Sequence, residues 1–120
     1  MPMQLSNTGG QYAISKSTFA VTVAFFDENN TAVTPTSAKW TLTDGLGVVV
    51  NGRTAQAISV LSTAVTIVLD AGDIDYTTSA SKRRVLTVTA LYNSTLGSNL
   101  PDVDSISFPI ADTLTGNIGV

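Results

Sequence analysis

Apolar and polar residues alternate along several short stretches of the chain. The clearest stretch is 18–26, where Phe19, Val21, Val23 and Phe25 are separated by Ala and Thr residues. Alternation with a period of two places every second side chain on the same face of a β-strand. The pattern therefore predicts a strand over 18–26 with these four side chains facing a core.

The same alternation recurs in other segments. It predicts strands over 38–44, 64–70, 83–92 and about 103–111, and a short edge strand over 11–14. No segment repeats its apolar residues with the 3.6-residue period of an amphipathic helix. Seven or eight short strands without helices predict an all-β fold in which two sheets form a β-sandwich. The side chains expected in its core are Phe19, Val21, Val23, Trp40, Leu42, Ile67, Leu69, Leu86, Val88, Ile106 and Phe108.

A tight turn is predicted in the middle of the chain. Asn51-Gly52 follows a short apolar run, 48–50. Asn-Gly between apolar stretches is typical of a type I′ hairpin turn, because both central positions need positive φ. We therefore expect residues 53–60 to return as the partner strand of 48–50.

Polar stretches and prolines divide the second half. The segment 70–75 is predicted to be a corner or a single helical turn, and 93–101 is predicted to be a turn-rich connection. Pro109 lies inside the last predicted strand. Because proline has no N–H to donate to a ladder, it predicts an edge position or a bulge there.

The length of 120 residues fits one domain. We expect a flexible N-terminal arm over 1–10, with an irregular first edge strand as the alternative, the sandwich over 11–111 and a flexible C-terminal tail over 112–120. The start, Met-Pro-Met-Gln-Leu, has no basic region followed by an apolar run, so no signal peptide is predicted. No apolar stretch approaches the roughly 20 residues that span a bilayer, so we expect no membrane association.

Composition narrows the function classes. Only 12% of residues are charged and 43% are hydrophobic, which is typical of a folded chain. The chain has no Cys and no His, so it forms no disulfide and lacks the commonest acid–base and metal-binding side chain near neutral pH. Its net charge of −3 argues against a nucleic-acid partner. We expect no enzyme activity, no catalytic residue and no cofactor.

Trp40 lies on the third of the predicted strands. A single Trp at that place resembles strand C of immunoglobulin-like domains, and Leu69-Asp70 with Asp73 resembles their E–F corner. The chain departs from the antibody pattern because it lacks both cysteines and because Tyr76 and Tyr92 do not match the corner tyrosine. The resemblance implies an immunoglobulin-like arrangement of the two sheets.

Longer stretches resemble the small immunoglobulin-like proteins of tailed bacteriophages. They are Phe25 to Pro35 (FFDENNTAVTP), Lys39 to Gly45 (KWTLTDG), Val50 to Arg53 (VNGR) and Ser107 to Ile110 (SFPI). This resemblance implies a virion component that is made in the host cytoplasm and acts as a capsid decoration or cement protein, or as a tail-associated module. It also implies the major capsid or tail protein as partner. Exposed strand edges would suit a symmetric homo-oligomer.

Two charged groups are candidate sites. Asp70, Asp73 and Asp75 could supply oxygen ligands to a hard cation such as Ca²⁺, or they could cap a solvated corner. The basic run of Lys82, Arg83 and Arg84 could bind an acidic protein surface or a phosphate, or it could guard the exposed start of a strand.

A second function class stays open. An immunoglobulin-like module from a larger bacterial protein could bind carbohydrate or a cell surface. In that case we expect Trp40 to lie on the surface as a platform for a sugar ring, whereas a core position would favour the structural hypothesis. A small hydrolase is a third hypothesis, but no nucleophile has a visible activating partner in the sequence.

Overall fold

The computed structural model describes residues 3–7, 12–76, 81–112 and 117–118. Within these residues the chain is all-β, as predicted, and no α-helix is formed. The described part of the chain accordingly offers no helical segment that could cross a bilayer. Its nine strands are β1 (Met3–Asn7), β2 (Ala13–Ile14), β3 (Phe19–Phe25), β4 (Ser37–Asp44), β5 (Gln56–Ala57), β6 (Ala64–Leu69), β7 (Arg83–Ser94), β8 (Gly97–Asp112) and β9 (Asn117–Ile118).

The strands form two sheets. Sheet 1 has the order β1-β3-β6, and both pairs are antiparallel. Sheet 2 has the order β2-β8-β7-β4-β5, and β9 also pairs with β8. All pairs in sheet 2 are antiparallel except β2 with β8, which is parallel. The N-terminal segment therefore contributes one strand to each sheet.

The core lies between the two sheets. On β3 the inward residues are buried and the outward ones are only partly buried, so the alternation in sequence becomes an alternation in burial. The rings of Phe19 in sheet 1 and Phe108 in sheet 2 lie 4.4 Å apart. The structure buries every predicted core side chain except Trp40 and Ile106, which are partly buried and pack against the core.

Trp40 lies beside an incomplete edge. It is on the inward face of β4 with Ala38 and Leu42, which are both buried, but it is itself partly exposed. Its neighbouring strand β5 spans only Gln56–Ala57, so sheet 2 ends close to the indole ring on that side. Trp40 therefore packs against the core from its margin, with its ring partly exposed, and does not lie at its centre.

Both ends of the chain are more regular than predicted. Residues 3–7 of the predicted arm form β1 because Met3 and Leu5 face inward, and Met3 is fully buried against the core. Asp112 ends β8, and Asn117–Ile118 pairs back onto it, so 112–120 is not simply a tail. The other residues of the predicted arm and tail lie outside the described residues.

The Asn51-Gly52 turn forms, but the chain does not reverse there. The φ angles of the two residues are 55° and 66°, as a type I′ turn requires. The backbone N–H of Leu42 bonds to the carbonyl of Arg53, and its carbonyl accepts from the N–H of Val50. Both flanks of the turn therefore run beside β4, and the predicted pairing of 53–60 with 48–50 is wrong. Residues 51–52 protrude between two points at which the chain bonds to Leu42, and we call this protrusion the Asn51-Gly52 excursion.

The predicted connection over 93–101 is a hairpin instead. Strands β7 and β8 continue through it and meet at a turn containing Thr95 and Leu96. Glu28 supports the tip, since its Oε1 accepts a hydrogen bond of 2.8 Å from Ser94 Oγ. Pro101 lies within β8, whose outer side has no partner over 97–109 among the described residues, so the missing N–H costs no ladder bond.

Candidate functional site

A cluster of polar side chains lies at the corner that follows β6. We call Asn51, Arg53, Asp70 and Asp73 the corner cluster. Asp73 is fully buried, and one carboxylate oxygen accepts hydrogen bonds from Arg53 Nε at 2.8 Å and Asn51 Nδ2 at 3.0 Å. Its other oxygen accepts from the backbone N–H of Asp70 at 2.9 Å. The Asn51-Gly52 excursion and the corner are thus joined by one carboxylate.

Arg53 bridges two carboxylates of different exposure. Its Nη2 donates to Asp70 Oδ2 at 2.9 Å, where the Asp70 side chain is 61% exposed. Burial acts to raise the pKa of Asp73, but the hydrogen bonds from Arg53, Asn51 and the Asp70 backbone outweigh it and lower the pKa. The bond to Asp73 in turn raises the pKa of Arg53. Both partners are therefore charged at neutral pH.

The predicted metal site is not formed by this arrangement. Asp70 Oδ1 caps the corner by accepting from the backbone N–H groups of Gly72 and Asp73, at 3.0 and 3.2 Å. Both oxygens of Asp73 already have N–H partners. Within the described ranges, no group of three acidic side chains is placed to hold a metal ion. Asp70 caps the corner, as the alternative expectation had it, but Asp73 is buried and not solvated.

The candidate basic run does not form one exposed patch. Arg84 is fully buried on the inward face of β7, so it neither faces a partner nor guards an exposed strand. Its guanidinium donates to four main-chain carbonyls, those of Asp73 at 3.0 Å, Asp75 at 2.9 Å, Ser81 at 3.2 Å and Arg83 at 3.0 Å. Burial lowers the pKa of Arg84, opposed by the charges of Asp44, Asp75 and Asp73. Arg84 therefore holds the corner together from inside.

Lys82 and Arg83 also contact their own chain. Lys82 Nζ donates to the Tyr76 carbonyl at 2.6 Å and lies 4.9 Å from the centre of the Tyr76 ring. Arg83 donates to Ser107 Oγ at 3.2 Å across the sheet. The sequence contained a signal for this division, because Arg84 has the same period-two phase as Leu86 and therefore faces the core.

A groove of about 460 Å³ lies beside Trp40, between the 57–62 segment and β6. Its walls are mixed: Val60 and Val68 are apolar, whereas Ser59 and Thr66 offer hydroxyl groups. The Arg53 guanidinium lies 5.6 Å from the centre of the Trp40 ring, in cation–π range. Trp40 thus connects the corner cluster to the groove.

The described surface also carries an apolar loop between β4 and β5. Leu46 is 72% exposed and Val48 is 60% exposed. The loop is held in shape by Asp44, whose Oδ1 accepts from the backbone N–H groups of Leu46 and Val48 at 2.8 and 3.1 Å. Val49, which follows Val48, is also exposed, so three apolar side chains are presented to solvent on a braced loop.

No family model, no curated protein and no solved structure matches this chain. A proposal for the function of this chain therefore rests on the geometry described above.

Proposed function

We propose that this chain is a non-enzymatic structural protein of a bacteriophage particle, which docks on the capsid or tail lattice as a decoration or cement protein. The observation that carries the proposal is the braced loop that presents Leu46 and Val48 to solvent. Adjacent exposed apolar side chains on an ordered loop are typical of a surface that contacts another protein. The major capsid or tail protein is the expected partner.

The strand order supports an immunoglobulin-like sandwich. In that fold strands A, B and E share one sheet, and strands C, F and G share the other. Here β1, β3 and β6 take the places of A, B and E, while β4, β7 and β8 take those of C, F and G. Immunoglobulin-like domains serve widely as binding and structural modules.

The use of the ionic groups supports a structural role. Asp73 and Arg84 are charged and fully buried. They bind the chain's own backbone and its neighbouring side chains. A catalytic group must instead reach a substrate with its proton or lone pair. These two residues are therefore proposed to stabilise the corner, and the outer surface is proposed to bind.

The test is occupancy on particles of the phage that encodes the chain. Quantitative mass spectrometry should find the chain in purified particles at a fixed ratio to the major capsid or tail protein. Leu46→Asp should lower that occupancy about tenfold or more, because it places a charge in a desolvated contact. Val103→Asp is the matched control, since Val103 is 59% exposed but lies on β8. Absence of the chain from particles would refute the proposal.

A second candidate function is carbohydrate or cell-surface binding. It is favoured by the partly exposed Trp40 ring, which lines the groove together with Ser59 and Thr66. Aromatic faces with nearby hydroxyl groups suit a sugar ring, although the Arg53 guanidinium already lies near the Trp40 ring. A glycan array distinguishes the two functions: binding that is lost in Trp40→Phe or Trp40→Ala would favour the carbohydrate module.

A further inference from the structure

Strand β6 has an open outer edge. The backbone N–H of Phe25 donates to the carbonyl of Thr63 at 2.9 Å, so this pair begins the hydrogen-bonded ladder between β3 and β6. In an antiparallel ladder, bonded and non-bonded pairs alternate. The backbone groups of Ala64, Thr66 and Val68 therefore point away from β3, and no described strand pairs with that side.

The other sheet edges carry features that discourage pairing. Strand β5 has only two residues. The outer side of β8 carries Pro101 and Pro109 together with the acidic Asp102 and Asp104. Asp104 also lies beside β1, where it lines a cavity with Met3 and Ser6. Short strands, prolines and charges are the usual protection of a β-edge.

Strand β6 has none of this protection. Its sequence, Ala-Val-Thr-Ile-Val-Leu, contains no charge and no proline, and its pairing with β3 has no bulge. Val68 faces solvent with 58% of its surface exposed. An extended backbone from another chain can replace water as the partner of such a row of outward N–H and C=O groups.

We propose that β6 pairs with β6 of a second copy of this chain, antiparallel and about a twofold axis through Thr66. In this register Thr66 faces Thr66, and Ala64 of one copy faces Val68 of the other. Sheet 1 of one copy and sheet 1 of the other then form one continuous six-stranded sheet. Because the twofold axis makes the contact self-complementary, it closes at a dimer.

The uncharged sequence of β6 suits a second copy of this chain as the partner. A symmetric pair brings each residue opposite a residue of the same sequence, so a charge at the centre would repel itself. The nearest charge, Asp70, falls opposite Ser62 in this register, while the strand itself is uncharged. The inference does not depend on a role in phage particles, so either proposal can fail without the other.

Single cysteines test the register, because the natural chain has none. In the proposed dimer the two copies of residue 66 lie about 5.5 Å apart between Cα atoms, within disulfide range. Thr66→Cys should therefore form a covalent dimer under mild oxidation. Val68→Cys alone should not, since its two copies would be about 14 Å apart at 3.4 Å per residue. Mixing Val68→Cys with Ala64→Cys should restore the cross-link.

Charges test the same contact without a covalent bond. Sedimentation of the natural chain should show dimers that dissociate on dilution. Thr66→Lys and Thr66→Glu should each weaken the dimer about tenfold or more, and an equal mixture of the two should recover it. Thr22→Lys is the matched control, because Thr22 lies opposite Thr66 but one strand further from the axis.

Three outcomes would overturn the proposal. One is a monomer at every concentration. Another is a dimer that both charged Thr66 variants leave unchanged, which would place the interface elsewhere. The third is oxidation of Val68→Cys as fast as that of Thr66→Cys, which would show a different register.

Discussion

Asp73 is the residue whose replacement gives the sharpest test of the corner. All four groups around its carboxylate are donors: Arg53 Nε and Nη2, Asn51 Nδ2 and the backbone N–H of Asp70. Asp73→Asn keeps the size of the side chain but replaces one oxygen with an amide group. Each carboxylate oxygen of Asp73 accepts from two of these donors. In either orientation of the amide, its N–H₂ group therefore faces two other donors and cannot accept from them.

The expected cost follows from those contacts. A hydrogen bond to a charged group contributes about 1.5–3 kcal/mol, and breaking a buried ion pair costs about 3–5 kcal/mol. Arg53 is 28% exposed and can be partly rehydrated, which lowers the cost. We therefore expect Asp73→Asn to destabilise the fold by about 3 kcal/mol, a large part of the roughly 5–15 kcal/mol typical of a domain.

Urea unfolding followed by the fluorescence of Trp40 measures this cost. Asp70→Asn is the matched control, because Asp70 binds the same Arg53 but is 61% exposed, and its Oδ1 can still cap the corner. An exposed pair contributes about 0–1 kcal/mol. Equal destabilisation by the two variants would refute the reasoning, because burial of Asp73 would then have no energetic effect.

Four further predictions concern stability. The pKa of Asp73 is lowered in the folded chain, so the folded chain binds a proton at this carboxylate less readily than the unfolded chain. The contribution of Asp73 to stability is therefore complete above about pH 4 and is lost as the pH falls below that. The urea midpoint should drop in that range in the natural chain and drop less in Asp73→Asn. Arg84→Met should lower the free energy of unfolding by about 3 kcal/mol in urea, because four main-chain carbonyls lose the guanidinium as their donor. An unchanged stability would contradict this role of Arg84. Trp40→Ala should cost about 2 kcal/mol by calorimetry, below the 3–5 kcal/mol of a fully buried Trp. Gly52→Ala should cost about 1 kcal/mol by calorimetry because φ is 66° there, whereas a gain in stability would contradict the turn.

The strands that could be predicted from sequence are those with a clear local alternation of apolar and polar residues. Strands β3, β6 and β7 each bury one face, and a period of two identifies such strands without knowledge of their partners. Strand β1 was left open between an arm and an irregular edge, because its burial depends on β3, which pairs with it only in the folded chain. The β7–β8 hairpin was missed because polar residues near its tip are indistinguishable in sequence from a loop.

The candidate site was predicted less well, for a related reason. The positions of Asp70 and Asp73 at a corner followed from sequence, but their partner Arg53 comes from an excursion beside β4 that no local pattern specifies. Arg84 belongs to a run of three cations, which is typical of an exposed segment, but its phase in β7 places it in the core. Pairings between distant segments decide which polar groups are buried, and a sequence does not contain those distances.

The parallel pairing of β2 with β8 has a consequence for how the chain matures during synthesis. Ala13 pairs with Ile110, and Phe19 stacks on Phe108, so these early residues wait for residues that are made much later. Contacts between such distant positions slow folding, since the intervening loop must be closed first. While the ribosome is still translating, sheet 1 can assemble, but its inner face is not fully covered until β8 joins β4 and β7.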